Sequence, residues 1–164
     1  MTRTIDTIRF SLVSTRLFED VLAVIDAAVG HPDAAEFKKA LSTATTFDSL
    51  TSAVSAVTGP TELMEFTRFD IGMVLGKGRP DPHPRSIRLL IGNPVTMRSM
   101  AELVPDAGAY APITVLIDER QDGVHVSYDR ISSSIASYGN VKADAIARHL
   151  DSTVEAILAA AVRA

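Results

Sequence analysis

At 164 residues and 17.5 kDa, with 46% hydrophobic and 22% charged residues, the chain has the apolar content for one buried core. Sixteen Lys and Arg against twenty Asp and Glu leave a net charge of -4, which disfavours general attraction to nucleic acid or to an anionic membrane surface. The absence of Cys excludes disulfides, thiolate-held zinc or iron–sulfur clusters, a cysteine nucleophile and cysteine-attached haem. Asp6 and Arg9 interrupt the N-terminal MTRTIDTIRF, so no secretory apolar region is expected. No apolar stretch approaches the roughly 20 residues of a membrane span. The expectation is a cytoplasmic protein, one domain over residues 1–164.

Thr7 to Ser14 alternates Ile8, Phe10 and Leu12 against Arg9, Ser11 and Val13, the period of a half-buried strand. A helix follows, with Ser14 or Thr15 as its cap, Glu19 and Asp20 in its first turn, Leu17, Val21, Val24 and Ala28 as its apolar side, and Gly30 with Pro32 ending it. A second helix is predicted from Ala34 to about Leu41. A third runs from Thr46 to Val57, stopped by Gly59-Pro60. Leu63 to Leu75 turns strand-like, with Met64, Phe66, Arg68 and Asp70 on one face and Glu65, Thr67 and Phe69 on the other. Gly76 to Pro84 holds two Gly and three Pro and reads as a loop, a lid or a long turn.

Ser86 to Ile91 is the next strand, and Gly92-Asn93-Pro94 begins a helix that Asn93 caps, with Met97, Met100 and Val104 inward. Ile113 to Asp118 and Val124 to Tyr128 flank a turn at Asp122-Gly123 and predict an antiparallel hairpin. The last element, about Val141 to Val162, is a long helix with Ile146, Leu150, Val154, Ile157 and Ala161 on one side. The expected class is α+β: a curved antiparallel sheet of about four or five strands packed by helices, with extra N-terminal helices and a long C-terminal one.

Arg68-Phe69-Asp70, Ile91-Gly92-Asn93-Pro94, the run APITVL from Ala111 to Leu116 and the run GVHVSYD from Gly123 to Asp129 stand in an order that resembles the bacterial domain of unknown function 302 family, over about residues 60 to 164. The resemblance implies a TATA-binding-protein-like α+β domain that pairs as a homodimer, and no defined activity. The chain departs from the family pattern at Ile71, where His is common, at His125, where an aromatic is common, and at Asp129-Arg130, where Asn-Asp-Pro is common. Its first sixty residues look longer and more helical than the usual family start.

Between Arg68 and Arg98 six basic residues stand against two acidic ones, so Arg68 and Arg88 on neighbouring strands are candidates to fork a carboxylate or phosphate. The alternative pairs Arg68 with Glu65 or Asp70 and leaves a solvated loop. His125, Ser127 and Asp129 share one strand face. Residues two apart on a strand stand roughly 7 Å apart and point in parallel, so a hydrolase triad is disfavoured. His125 lining a cavity would be the best candidate for a haem ligand. No HxxxH or HExxH spacing marks a metal site, and the methionines at strand and helix positions read as packing.

The favoured expectation is a small-molecule-binding domain. Its pocket, between sheet and helices or at a dimer interface, would be rimmed by Arg68, Arg88, His125 and Tyr128 and would take a ligand apolar in body and anionic at one end. Three alternatives stand beside it: a haem protein with His125 as axial ligand, an enzyme with Asp70 as acid or base in a sheltered site, and a structural dimerisation module. Neither nucleic acid nor a membrane is an expected partner, since net charge -4, no Trp and no basic helix lack that signature.

Overall fold

The structure, a computed structural model, describes residues 2–79 and 83–163. Its order is β1 (Arg9–Ser14), α1 (Phe18–Ala28), α2 (Ala34–Thr43), α3 (Phe47–Ser55), β2 (Met64–Asp70), α4 (Ile71–Leu75), β3 (Ser86–Gly92), α5 (Pro94–Ala101), β4 (Ile113–Arg120), β5 (Gly123–Asp129), α6 (Ile131–Ala136) and α7 (Val141–Val162). A 3-10 turn at Pro105–Ala109 leads into β4. The five strands form one open antiparallel sheet, β1-β5-β4-β3-β2, with β1 and β2 as its edges. The predicted α+β class is thus what the chain adopts.

Local chemistry explains most of the boundaries. Asp33 accepts hydrogen bonds from the Ala35 and Glu36 amides to start α2, Thr46 and Ser49 form a reciprocal capping box on α3, and Asn93 accepts from Val95 and Thr96 with Pro94 in the first turn of α5. The β4–β5 hairpin closes through Gln121-Asp122, with Arg120 opposite Gly123. Gly123 has φ +138°, and a Cβ there would press on the Ser14 carbonyl.

Three expectations need correcting. Helix α1 starts later than predicted. Leu17 is its cap and is 70% exposed rather than inward, because the Ser14 hydroxyl bonds to the Arg16 amide and the Val162 carbonyl instead. The strand expected to run to Leu75 stops at Asp70, whose carboxylate accepts from the Met73 amide at 2.7 Å and opens α4. Within β2, Glu65 pairs Ile91 while Thr67 pairs Leu90, so Phe66 is a bulge that breaks the predicted alternation. Arg68 therefore shares a face with Glu65 rather than with Met64. The centre of the predicted Gly76 to Pro84 loop, residues 80–82, lies outside the described residues.

Helices α1 and α7 cover one face of the sheet. Leu89, Val115, Ile117 and Val126 are wholly buried there, against Val21, Ile25, Val154 and Leu158. A smaller core, Phe37, Val54 and Met64, fills the space under α2 and α3. The other face of the sheet carries no helix along its middle, and there Val13 and Phe69 are about half exposed, at 49% and 50%.

Candidate functional site

Pairing register turns strand alternation into side-chain rows. One row on the open face crosses all five strands: Phe69, Arg88, Leu116, Ser127 and Ser11. Arg88 is exposed, lies over the Phe69 ring at 5.3 Å, and has no carboxylate partner among the described residues. Ser127 is buried, with no side-chain hydrogen bond among the described residues.

The middle of this row, Arg88, Leu116 and Ser127, forms the floor of a cleft of about 550 Å3. The N-terminal residues Ile5 and Thr7, the loop before β4 at Ala109, Tyr110 and Pro112, and Ser134 of α6 raise its walls. The N-terminal segment is fastened along that wall. The Ile8 amide donates to Ser133, the Arg130 amide donates to the Ile8 carbonyl, and Arg3 sits over the Tyr138 ring at 4.2 Å. Tyr138 and Tyr110 share a 2.9 Å hydroxyl bond, which pushes the Tyr138 phenol up to about 12. At the other wall Arg9 and Asp129 pair at 2.7 and 2.9 Å, so Arg9 is neutralised.

The four residues expected to rim one pocket do not converge. Arg88 and Tyr128 border the cleft, whereas Arg68 and His125 do not. Arg68 lies opposite Leu89, on the helix-covered side, and Arg88 lies opposite Phe69, on the open side. The two guanidiniums therefore do not form the predicted fork. Arg68 takes the paired alternative: it grips Glu65 at 2.6 Å and Asp26 of α1 at 2.5 Å, and those bonds hold its pKa above the ordinary arginine value. His125 shares the open face but sits one row nearer the hairpin, beside Asp118, and its Nε2 bonds Asp122 at 2.8 Å. That bond holds the Asp122 carboxyl below its usual value and gives the imidazole a use other than a haem. Asp70 is exposed and committed to capping α4, so it is not the sheltered carboxylate that an acid or base requires.

Tyr128 turns its hydroxyl away from the cleft into a polar knot that the sequence reading missed. It donates toward Glu155 at 3.1 Å and Asp151 at 3.3 Å on α7, and burial first, then these two carboxylates, raise its pKa. Asp151 is only 5% exposed, and it also accepts from the Ile131 and Ser132 amides at 3.0 Å, fastening α6 to α7. Arg130 completes the knot on Glu155. The signal was present in the sequence: Asp151 interrupts the buried stripe of Ala147, Leu150, Val154 and Leu158, where an acid needs a donor.

The space between the sheet and α1 and α7, one of the predicted pocket positions, is filled by the core. No group of three or more His, Asp or Glu side chains among the described residues is placed to hold a metal ion. No helix among them is long and apolar enough to cross a membrane.

The family pattern described as "Domain of unknown function DUF302" matches residues 37–161, beginning upstream of the stretch from 60 that carried the resemblance. No curated protein matches the chain. Among solved structures, the crystal structure of an uncharacterized conserved DUF302 protein from Bacillus stearothermophilus is similar, with a TM-score of 0.63 at 10% identity. The similarity covers 94% of this chain and 98% of that one. So little of either chain is left over that the N-terminal strand and helices, which looked like an extension, belong to the shared fold. By the extent of the family match, the chain belongs to the DUF302 family, a domain of unknown function.

Proposed function

We propose that the protein binds a small amphipathic anion in the cleft on the open face of the sheet. The observation that carries this reading is Arg88: a guanidinium without a carboxylate partner among the described residues, on the floor of a 550 Å3 cleft, between the Phe69 ring and Leu116. An exposed arginine normally gains little from a surface partner, but one beside apolar walls is partly stripped of water and attracts a carboxylate or sulfonate strongly. The cleft volume falls within the roughly 300–1,000 Å3 usual for small-molecule sites. Ile5, Ile71 and Leu116 supply the apolar wall, and the Ser127 hydroxyl, without a side-chain hydrogen bond among the described residues, supplies a second polar contact. The ligand thus keeps the predicted character, an apolar body with one anionic end, while Arg68 and His125 leave the site. Haem on His125 and acid–base chemistry at Asp70 gain no support from the geometry.

A dye of this chemistry, 1-anilinonaphthalene-8-sulfonate, tests the reading by fluorescence titration. Saturable binding is expected, weakened about tenfold or more in Arg88→Ala, which corresponds to about 1.4 kcal/mol, and partly kept in Arg88→Lys. Equal affinity in wild type and Arg88→Ala would overturn it. Native mass spectrometry of the same sample reads both a retained ligand and the homodimer expected from the resemblance.

A further inference from the structure

We infer that the ligand is two-armed: a carboxylate on Arg88 carrying one apolar arm in the cleft and a second arm laid along α4. This rests on the binding function proposed above and adds the shape of the ligand.

Arg88 and Ile71 line not only the cleft but also an adjoining depression of about 530 Å3 at the β2 end of the sheet. The other walls of that depression include Phe69, Met73 and Val74. These side chains are 50%, 55% and 65% exposed, and with Leu75 they place four of the ten exposed large hydrophobics among the described residues within seven consecutive positions. Scattered exposed apolar side chains need no explanation, but a contiguous group beside a binding cleft marks a contact surface.

The charges fix where along the ligand the anion falls. Arg68 also lines the depression, but Glu65 and Asp26 neutralise it, and the Asp70 carboxylate is occupied by the Met73 amide. Among the described residues Arg88 is left as the unneutralised cation of both chambers, and it stands where they meet. An anion bound there has apolar wall on either side of it. A straight-chain acid fills one chamber and leaves the other wet, whereas an acid branched at the carbon next to its carboxylate fills both.

The α4 surface is also held in place. A Cβ on Gly72 would meet the Ser86 amide nitrogen at 2.9 Å, so the helix lies directly on the start of β3, and Asp70 pins its first turn. Its apolar side chains are presented by a fixed support, which is what a second arm needs for a defined path.

Two isomeric acids with the same number of carbons separate the possibilities: 2-butyloctanoate, which is branched, and dodecanoate, which is straight. Each is measured by displacement of 1-anilinonaphthalene-8-sulfonate, with circular dichroism as the control for folding. The wild type is expected to prefer the branched acid by about tenfold or more, and in Met73→Ser/Val74→Ser the ratio of the two affinities is expected to fall to about one. Equal affinities in the wild type, both weakened by Arg88→Ala, would overturn the two-armed ligand and leave the binding function standing. A branched preference that survives Met73→Ser/Val74→Ser would also overturn the path along α4. Failure of both acids and the dye to bind would overturn the binding function and this inference together.

Discussion

Leu116 and Ile117 are neighbours on β4, yet they belong to different worlds. Ile117 is wholly buried under the helices, in register with Ile87 and Val126, and Leu116 stands on the floor of the cleft between Arg88 and Ser127. The same contrast runs through β1, β3 and β5. One face is closed by α1 and α7 over Leu89, Val115 and Val126, and the other is left with half-exposed apolar residues and an arginine that has no carboxylate partner among the described residues. The sheet therefore divides its work by the parity of the residue. Odd positions of β4 such as Val115 and Ile117 supply stability, and even positions such as Thr114 and Leu116 are left available for contact.

The sharpest way to break this division is to truncate both neighbours. Ile117→Ala is expected to cost about 3 kcal/mol or more of unfolding free energy, through lost burial and a residual cavity. Leu116→Ala is expected to cost less than about 1 kcal/mol while weakening dye binding. Urea denaturation measures both, and equal losses would refute the division. A smaller effect is expected in the polar knot on the closed side. Asp151→Ala strips the acceptor from the Ile131 and Ser132 amides and from the Tyr128 hydroxyl, at about 2–3 kcal/mol, and Asp151→Asn, which keeps one acceptor oxygen, should lose less. Hydrogen exchange across Ile131–Ala136 would show whether the loss is local to α6.

The smallest effect is in alkali. Tyr128 has its folded-state pKa raised above the unfolded value, so its contribution to stability is complete below about pH 10 and is lost as the pH rises beyond it. Tyr138, raised to about 12, acts in the same direction. Unfolding midpoints from pH 9 upward should fall, and less steeply in Tyr128→Phe. An identical slope in that variant would place the alkaline sensitivity elsewhere.

How far the sequence was legible follows from how local each signal is. Helix α7 was read at about its observed length, because one long apolar stripe lies within its own segment, and the β4–β5 hairpin was read from its turn. The Asn93-Pro94 helix start was equally plain. Helix α4 was hidden, since what stops β2 is one hydrogen bond from Met73 to Asp70 in an apolar run that alternates like a strand. Of the candidate site, Arg88 and Tyr128 were found on the cleft, and the pairing of Arg68 with Glu65 was legible as the alternative to a fork, while its bond to Asp26 was out of reach because Asp26 lies 42 residues away. The bulge at Phe66 decided the rest, since one extra residue moved Arg68 and Phe69 to opposite faces from those that simple alternation gave.

The edge strand β1 sets a schedule for the chain. Its partner β5 lies about 120 residues downstream, as the Arg9–Asp129 pair shows, and its end is tied to the last turn of α7 through Ser14 on the Val162 carbonyl and Arg16 on the Ala161 carbonyl. A nascent chain emerging from the ribosome must therefore hold β1 without its partner until about 120 further residues have been made. Closing so long a loop places this pairing among the late, slow steps of folding. The N-terminal wall of the cleft, which continues directly from β1, can be completed only when that step is done, so a newly made chain acquires its cleft last.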